Sequence, residues 1–115
     1  MSTTILTSIK KQLGIDESNI DFDPQVIMGI NMAISVLTQI GIGSPSGFAL
    51  TDGKELWTAY IPDLETSARY VMVQSYIYCR TKLFFDPPAS QVLTNILKST
   101  ADELEWRLKA ESEKG

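Results

Sequence analysis

The sequence predicts an all-α protein, a small bundle of four to five helices with a Gly/Pro-rich loop and room for one short extended segment. Three observations carry that expectation. Apolar residues recur at three- and four-residue spacing along separate stretches. Gly or Pro stands where these stretches stop. The composition, 43% hydrophobic and 21% charged over 115 residues, suits one folded domain and leaves no room for a second.

In the first stretch Ile5, Ile9 and Leu13 stand four apart and Gly14 follows, which reads as a short amphipathic helix from Thr4 to Leu13 closed by a left-handed residue. Polar residues from Asp16 to Asp21 form a turn. Asp23 is expected to cap the second helix through its carboxylate, with Pro24 at the first helical position and Phe22 stapled to Ile27. Val26, Ile30, Ala33, Leu37 and Ile40 make the stripe of that helix, Ile27 and Ile34 widen it, and Gly41 ends it. Met28 and Met32 lie off the stripe. They imply either a helix buried on two sides or a surface for a neighbouring subunit.

Gly41 to Gly47 is a loop whose glycines suggest phosphate binding only superficially, since no strand precedes it and no Lys-Ser/Thr pair closes it. Phe48 and Leu50 allow a brief extended segment. Asp52 and Glu55 then form a capping-box-like start for a short helix carrying Leu56 and Trp57. Asp63 is expected to open the longest helix, which runs to Phe84 or Phe85 with no Gly or Pro inside and with apolar residues on nearly every face. Such a helix must be central. Asp86-Pro87-Pro88 stops it.

The last helix, Ser90 to about Ala110, sets Leu93, Ile96, Leu97, Thr100, Leu104 and Leu108 on one stripe. Glu111 to Gly115 has nothing to bury and is expected to fray, giving one domain over residues 1–110 and a flexible tail over 111–115.

Composition narrows the function. The chain has no His, one Cys and a net charge of −4 without a basic tract. These features remove the usual acid/base side chain, a conventional zinc site and the cation cluster that drives nucleic-acid binding. No segment is apolar over the ~20 residues needed to span a bilayer. Asp23, Asp52 and Asp63 stand where caps belong, and Asp102, Glu103 and Glu105 read as a solvated helix face paired with Arg107 and Lys109. Ser44, Ser46 and Ser90 have no histidine base, and Cys79 reads as a packing thiol. Tyr70, Tyr76 and Tyr78 point round the long helix and cannot all be buried. Trp106 lies off the leucine stripe, open to either packing or an interface.

Leu83-Phe-Phe-Asp-Pro-Pro-Ala-Ser90 followed by Glu103-Leu-Glu-Trp-Arg-Leu108 resembles the carboxy-terminal half of the head-tail connector (adaptor) proteins of long-tailed bacteriophages. Asp23 leading into Ile30-Asn-Met-Ala-Ile34, then Gln39-Ile-Gly-Ile-Gly43, Phe48-Ala-Leu-Thr-Asp52 and Trp57 are similar in layout to the amino-terminal half. The resemblance implies a non-catalytic structural subunit of the virion, made in the bacterial cytoplasm, needing no cofactor or metal and contacting no membrane. Its partners would be the portal protein, a stopper on the tail side and sister copies in a ring that extends the DNA channel.

Portal contacts would fall on Trp106, Arg107, Leu108, Glu111 and Lys114, and ring or stopper contacts on Gly43, Pro45, Phe48, Met28 and Met32. Mildly acidic subunits repeated round a ring would repel DNA and let it slide, with no specific nucleic-acid binding. The competing reading is a monomeric or dimeric helical module that binds a peptide in a groove, and a more distant one is an enzyme using carboxylates and a metal.

Overall fold

The computed structural model describes residues 4–62 and 68–113. Its elements are α1 (Ile5–Leu13), α2 (Asp23–Gln39), α3 (Trp57–Tyr60), α4 (Tyr70–Phe85) and α5 (Gln91–Glu113). The expected all-α bundle is therefore the observed one. Residues 63–67, where the sequence puts the start of the long helix at Asp63, lie outside the described residues. Ala68 and Arg69 form a turn, so α4 starts at Tyr70 and α5 is the longest helix.

α1 begins with the Thr4 hydroxyl accepting from the Thr7 N–H at 3.0 Å and ends at Gly14, φ +80°. It buries Ile5, Leu6 and Ile9, so its spacing-four pattern faces the core. α2 buries Val26, Ile30, Ala33, Ile34 and Leu37. Asp23 is not its side-chain cap, contrary to expectation. Phe22 occupies the cap position, and Asp23 is the first helical residue, its carboxylate drawn to Lys10 Nζ at 2.9 Å. Phe22 meets Phe85 edge-on, ring centroids 5.5 Å apart.

α4 is central, as its all-round apolarity requires, with α2 packed on one part of it and α5 on another. The crossing with α2 is close because Gly29 has no side chain. A Cβ there would stand 3.1 Å from the Thr81 methyl and 3.2 Å from the Phe84 ring. α2 and α5 converge at their carboxy ends, where the Ser112 hydroxyl donates to the Ile40 carbonyl at 2.7 Å. The helix α5 thus continues through Glu113, past the Ala110 limit read from the sequence.

The linker between α2 and α3 contains no strand. Leu50 is instead satisfied by Asn31, whose side-chain oxygen accepts from the Leu50 N–H at 2.7 Å and whose amide donates to the Leu50 carbonyl at 3.0 Å. One isolated antiparallel bridge joins Thr4 to Leu56. Glu55 does not cap α3. Its carboxylate takes the Thr51 N–H and hydroxyl at 2.7 and 2.9 Å, closing the turn before the helix, while Asp52 accepts from the Lys54 N–H.

Candidate interaction surfaces

A bundle this small hides its apolar residues only where helices face one another. Ten large hydrophobic side chains stay exposed among the described residues. Eight of them fall into two groups. Met28 and Met32, each more than half exposed, lie on the side of α2 turned away from the core, in a shallow depression completed by Pro24, Ile27, Asn31 and Ser35. Of the two readings open for these methionines, a second buried side fails.

The second group sits at the bundle end where α2 starts, α4 stops and α5 begins. Val92, Leu93 and Ile96 are more than half exposed there, and Ile20, Phe22 and Phe84 are exposed beside the same helix ends. Helix register explains it. Tyr76 meets Glu105 and Arg80 meets Asp102 across an antiparallel pair, which sets Phe85 about level with Leu97. The first turn and a half of α5, roughly, therefore runs past the last residue of α4 with no helix beside it. The leucine stripe read from the sequence is thus divided: Leu108 is buried, Leu97 and Leu104 partly so, and Leu93, Ile96 and Thr100 are exposed, while Ala101, outside that stripe, is buried as well.

Sequence adds a feature that the helix pattern hides. No charged residue occurs between Asp23 and Asp52, and none between Asp86 and Lys98. These two stretches supply the α2 depression and the α5 projection. The rest of α5, from Lys98 to Glu113, is densely charged.

On that charged half Trp106 is 70% exposed, next to an Arg107–Glu103 ion pair of 3.1 Å. Glu111 is exposed on the same helix, and Lys114 lies outside the described residues. Leu108 is fully buried and presents no surface, which corrects its place among the contact residues. Its i+4 relation to Leu104 puts it on the core side of the helix. In the loop, Gly43 and Pro45 are exposed, whereas Phe48 is half-buried and stacks on Tyr60 at 5.1 Å between centroids.

α5 is fixed to α4 by a polar junction where the sequence alone suggests only a solvated face. Arg80 Nε donates to the Tyr76 hydroxyl at 3.1 Å, that hydroxyl donates to Glu105 at 2.9 Å, and Arg80 Nη2 reaches Glu105 at 3.2 Å and Asp102 at 3.5 Å. Burial pushes the Tyr76 hydroxyl up to about 12, Arg80 opposing and Glu105 adding to the shift. Burial raises Tyr60 and Cys79 as well, in keeping with Cys79 as a packed thiol.

A raised acid favours the folded state while it stays protonated. That contribution is complete below the unfolded value of 10.0 for Tyr76 and is lost as pH rises toward about 12. Tyr76→Phe should therefore lose thermal stability less steeply over that alkaline range than the parent chain. Equal slopes in melting temperature against pH would show that Tyr76 plays no such part.

Among the described residues no group of three or more His, Cys, Asp or Glu is placed to hold a metal ion, and no helix is long and apolar enough to cross a membrane. Fold and surface together define a small helical subunit whose prominent features are exposed apolar faces. The chain belongs to the phage connector protein family, which residues 5–115 match. Comparison with curated proteins and with solved structures finds no match. As a connector it is a structural protein of the virion and associates with other virion proteins.

Proposed function

We propose that this chain forms a ring at the capsid–tail junction, docks on the portal through the charged half of α5, and extends the DNA channel toward a stopper on the tail side. The observation that carries the docking assignment is Trp106. A largely exposed indole bordered by charged, solvated side chains has the make-up of an interface anchor, an apolar centre with a polar rim. Arg107 and Glu111 supply part of that rim. The exposed loop tip at Gly43 and Pro45 is the face offered to the stopper or to a ring neighbour. Its root is held by Asn31, so the tip is presented on a fixed base. The net charge of −4 suits a channel lining that does not grip DNA.

Incubation of the purified chain with purified portal rings, read by electron microscopy and by co-sedimentation, tests this. Trp106→Ala should weaken portal association at least about tenfold, a typical anchor loss, with the melting temperature almost unchanged because the side chain is exposed. Association at parental strength would overturn the assignment. The point substitution is a cleaner probe than removing residues 111–115, since that deletion also takes away the Ser112 bond to Ile40.

A further inference from the structure

We infer that the uncharged α2 depression of one copy receives the projecting start of α5 from the next copy, a head-to-tail contact between two different surfaces of the same chain. The inference rests on the ring reading above and names the surfaces that would close it.

Charge selects the occupant. A partner bringing Lys, Arg, Asp or Glu to the Met28–Met32 surface would bury those charges against a lining of Pro24, Ile27, Met28, Asn31, Met32 and Ser35, none of which carries an ion to pair with them. The same holds for the α5 projection, uncharged over residues 87–97. Each surface needs an uncharged apolar complement, and each is what the other needs. Shape agrees with charge. One is a shallow hollow lined by flexible methionines, which adapt to a partner's contour. The other is a free helix end carrying Val92, Leu93 and Ile96 beyond the bundle. An apolar helix face laid in an apolar hollow is a recurrent mode of recognition.

Topology excludes the intramolecular alternative. The hollow is on the side of α2 turned from the core, while α4 and α5 lie on the core side. A copy therefore cannot place its own projection in its own hollow. Contacts between unlike surfaces propagate from copy to copy and close into a ring when the rotation permits, whereas like surfaces would stop at a two-fold dimer.

Sedimentation equilibrium on the full chain tests this with two exposed-site variants, Met32→Glu and Leu93→Glu, whose monomer fold is checked by circular dichroism. The parent chain should self-associate, and each variant should do so at least about tenfold more weakly, since each buries an unpaired carboxylate in the contact. An equimolar mixture of the two should give a heterodimer. It retains one intact hollow and one intact projection.

The inference is overturned if the parent remains a monomer up to about 1 mM, if either variant associates like the parent, or if the mixture gains nothing over its components. Portal docking is read separately. A Leu93→Glu chain that still fills portal rings to the parental level sinks this contact and leaves the portal role intact, whereas failure of the parent chain to bind portals sinks the ring reading itself.

Discussion

Replacing Trp57 with alanine should lower the free energy of unfolding by about 4 kcal/mol, the upper part of the range for removing a buried aromatic. Trp57 is the largest fully buried side chain, and it joins three elements. Its indole N–H donates to the Ser8 hydroxyl of α1 at 3.0 Å, its ring meets Tyr70 of α4 edge-on at 5.6 Å, and its backbone starts α3. Alanine leaves a cavity that α1 and α4 cannot both close, because α1 is also held by the Thr4–Leu56 bridge. Against a stability of roughly 5–15 kcal/mol for a domain of this kind, such a loss removes a large part of the margin. Trp57→Phe separates the causes. It keeps most of the volume and loses the bond to Ser8, so a cost of about 1–2 kcal/mol is expected. Urea titration of both variants measures the difference, and equal costs for Ala and Phe would show that the packing of the ring matters less than its bond to Ser8.

Lys10→Ala should cost about 3 kcal/mol, an unusual value for a lysine on an amphipathic helix. Lys10 is only 3% exposed. Its ammonium donates to the carbonyls of Glu17 and Asn19 at 3.1 and 2.8 Å and pairs with Asp23 at 2.9 Å. The contact with Asp23 Oδ1 is close but not aligned as a hydrogen bond, so it acts as an ion pair while the two carbonyls take the directed bonds. Alanine strands all three acceptors, one of them a carboxylate that is mostly buried. Lys11→Ala, one residue on and exposed, should change stability by less than about 0.5 kcal/mol. Pairing Lys10→Met with Asp23→Asn should recover part of the loss, because the orphaned charge goes with its partner. A Lys10→Ala chain as stable as the Lys11→Ala chain would refute the role of the buried ammonium.

Lys10 also shows where sequence reading reaches its limit. The ends of α1 and α2 and the stop at Asp86-Pro87-Pro88 are local events, governed by residues within a turn of each other, and they are legible. The position of Asp23 is legible too, but not its bond. A carboxylate beside a proline reads as a cap until a buried lysine from another helix competes for it, and although Lys10 stands four residues after Leu6 and three before Leu13, on the flank of the apolar stripe, that spacing does not name its partners.

Ser90 to Ala110 fails in the same way. Its stripe is correctly periodic, yet which part of a stripe is covered depends on where the neighbouring helix ends. Leu93 and Leu108 are alike in pattern and opposite in exposure for that reason alone. Trp106 and the two methionines can be placed off their stripes from sequence, and the structure settles that they are exposed. The absence of charge over residues 24–51 and 87–97 is readable from composition, but it becomes informative only once Met28 and Met32 in the first stretch and Val92, Leu93 and Ile96 in the second are seen to lie on the surface.

The bond from Ser112 to the Ile40 carbonyl has a mechanical meaning. It ties the carboxy end of α5 to the root of the glycine-rich loop, and Gly41 leaves room for it, a Cβ there lying 3.1 Å from the serine oxygen. One neutral hydrogen bond at a partly open site is worth about 1 kcal/mol, far less than the packing that holds α5 along α4. Losing this tie would therefore free the loop at its root while the helices stay seated.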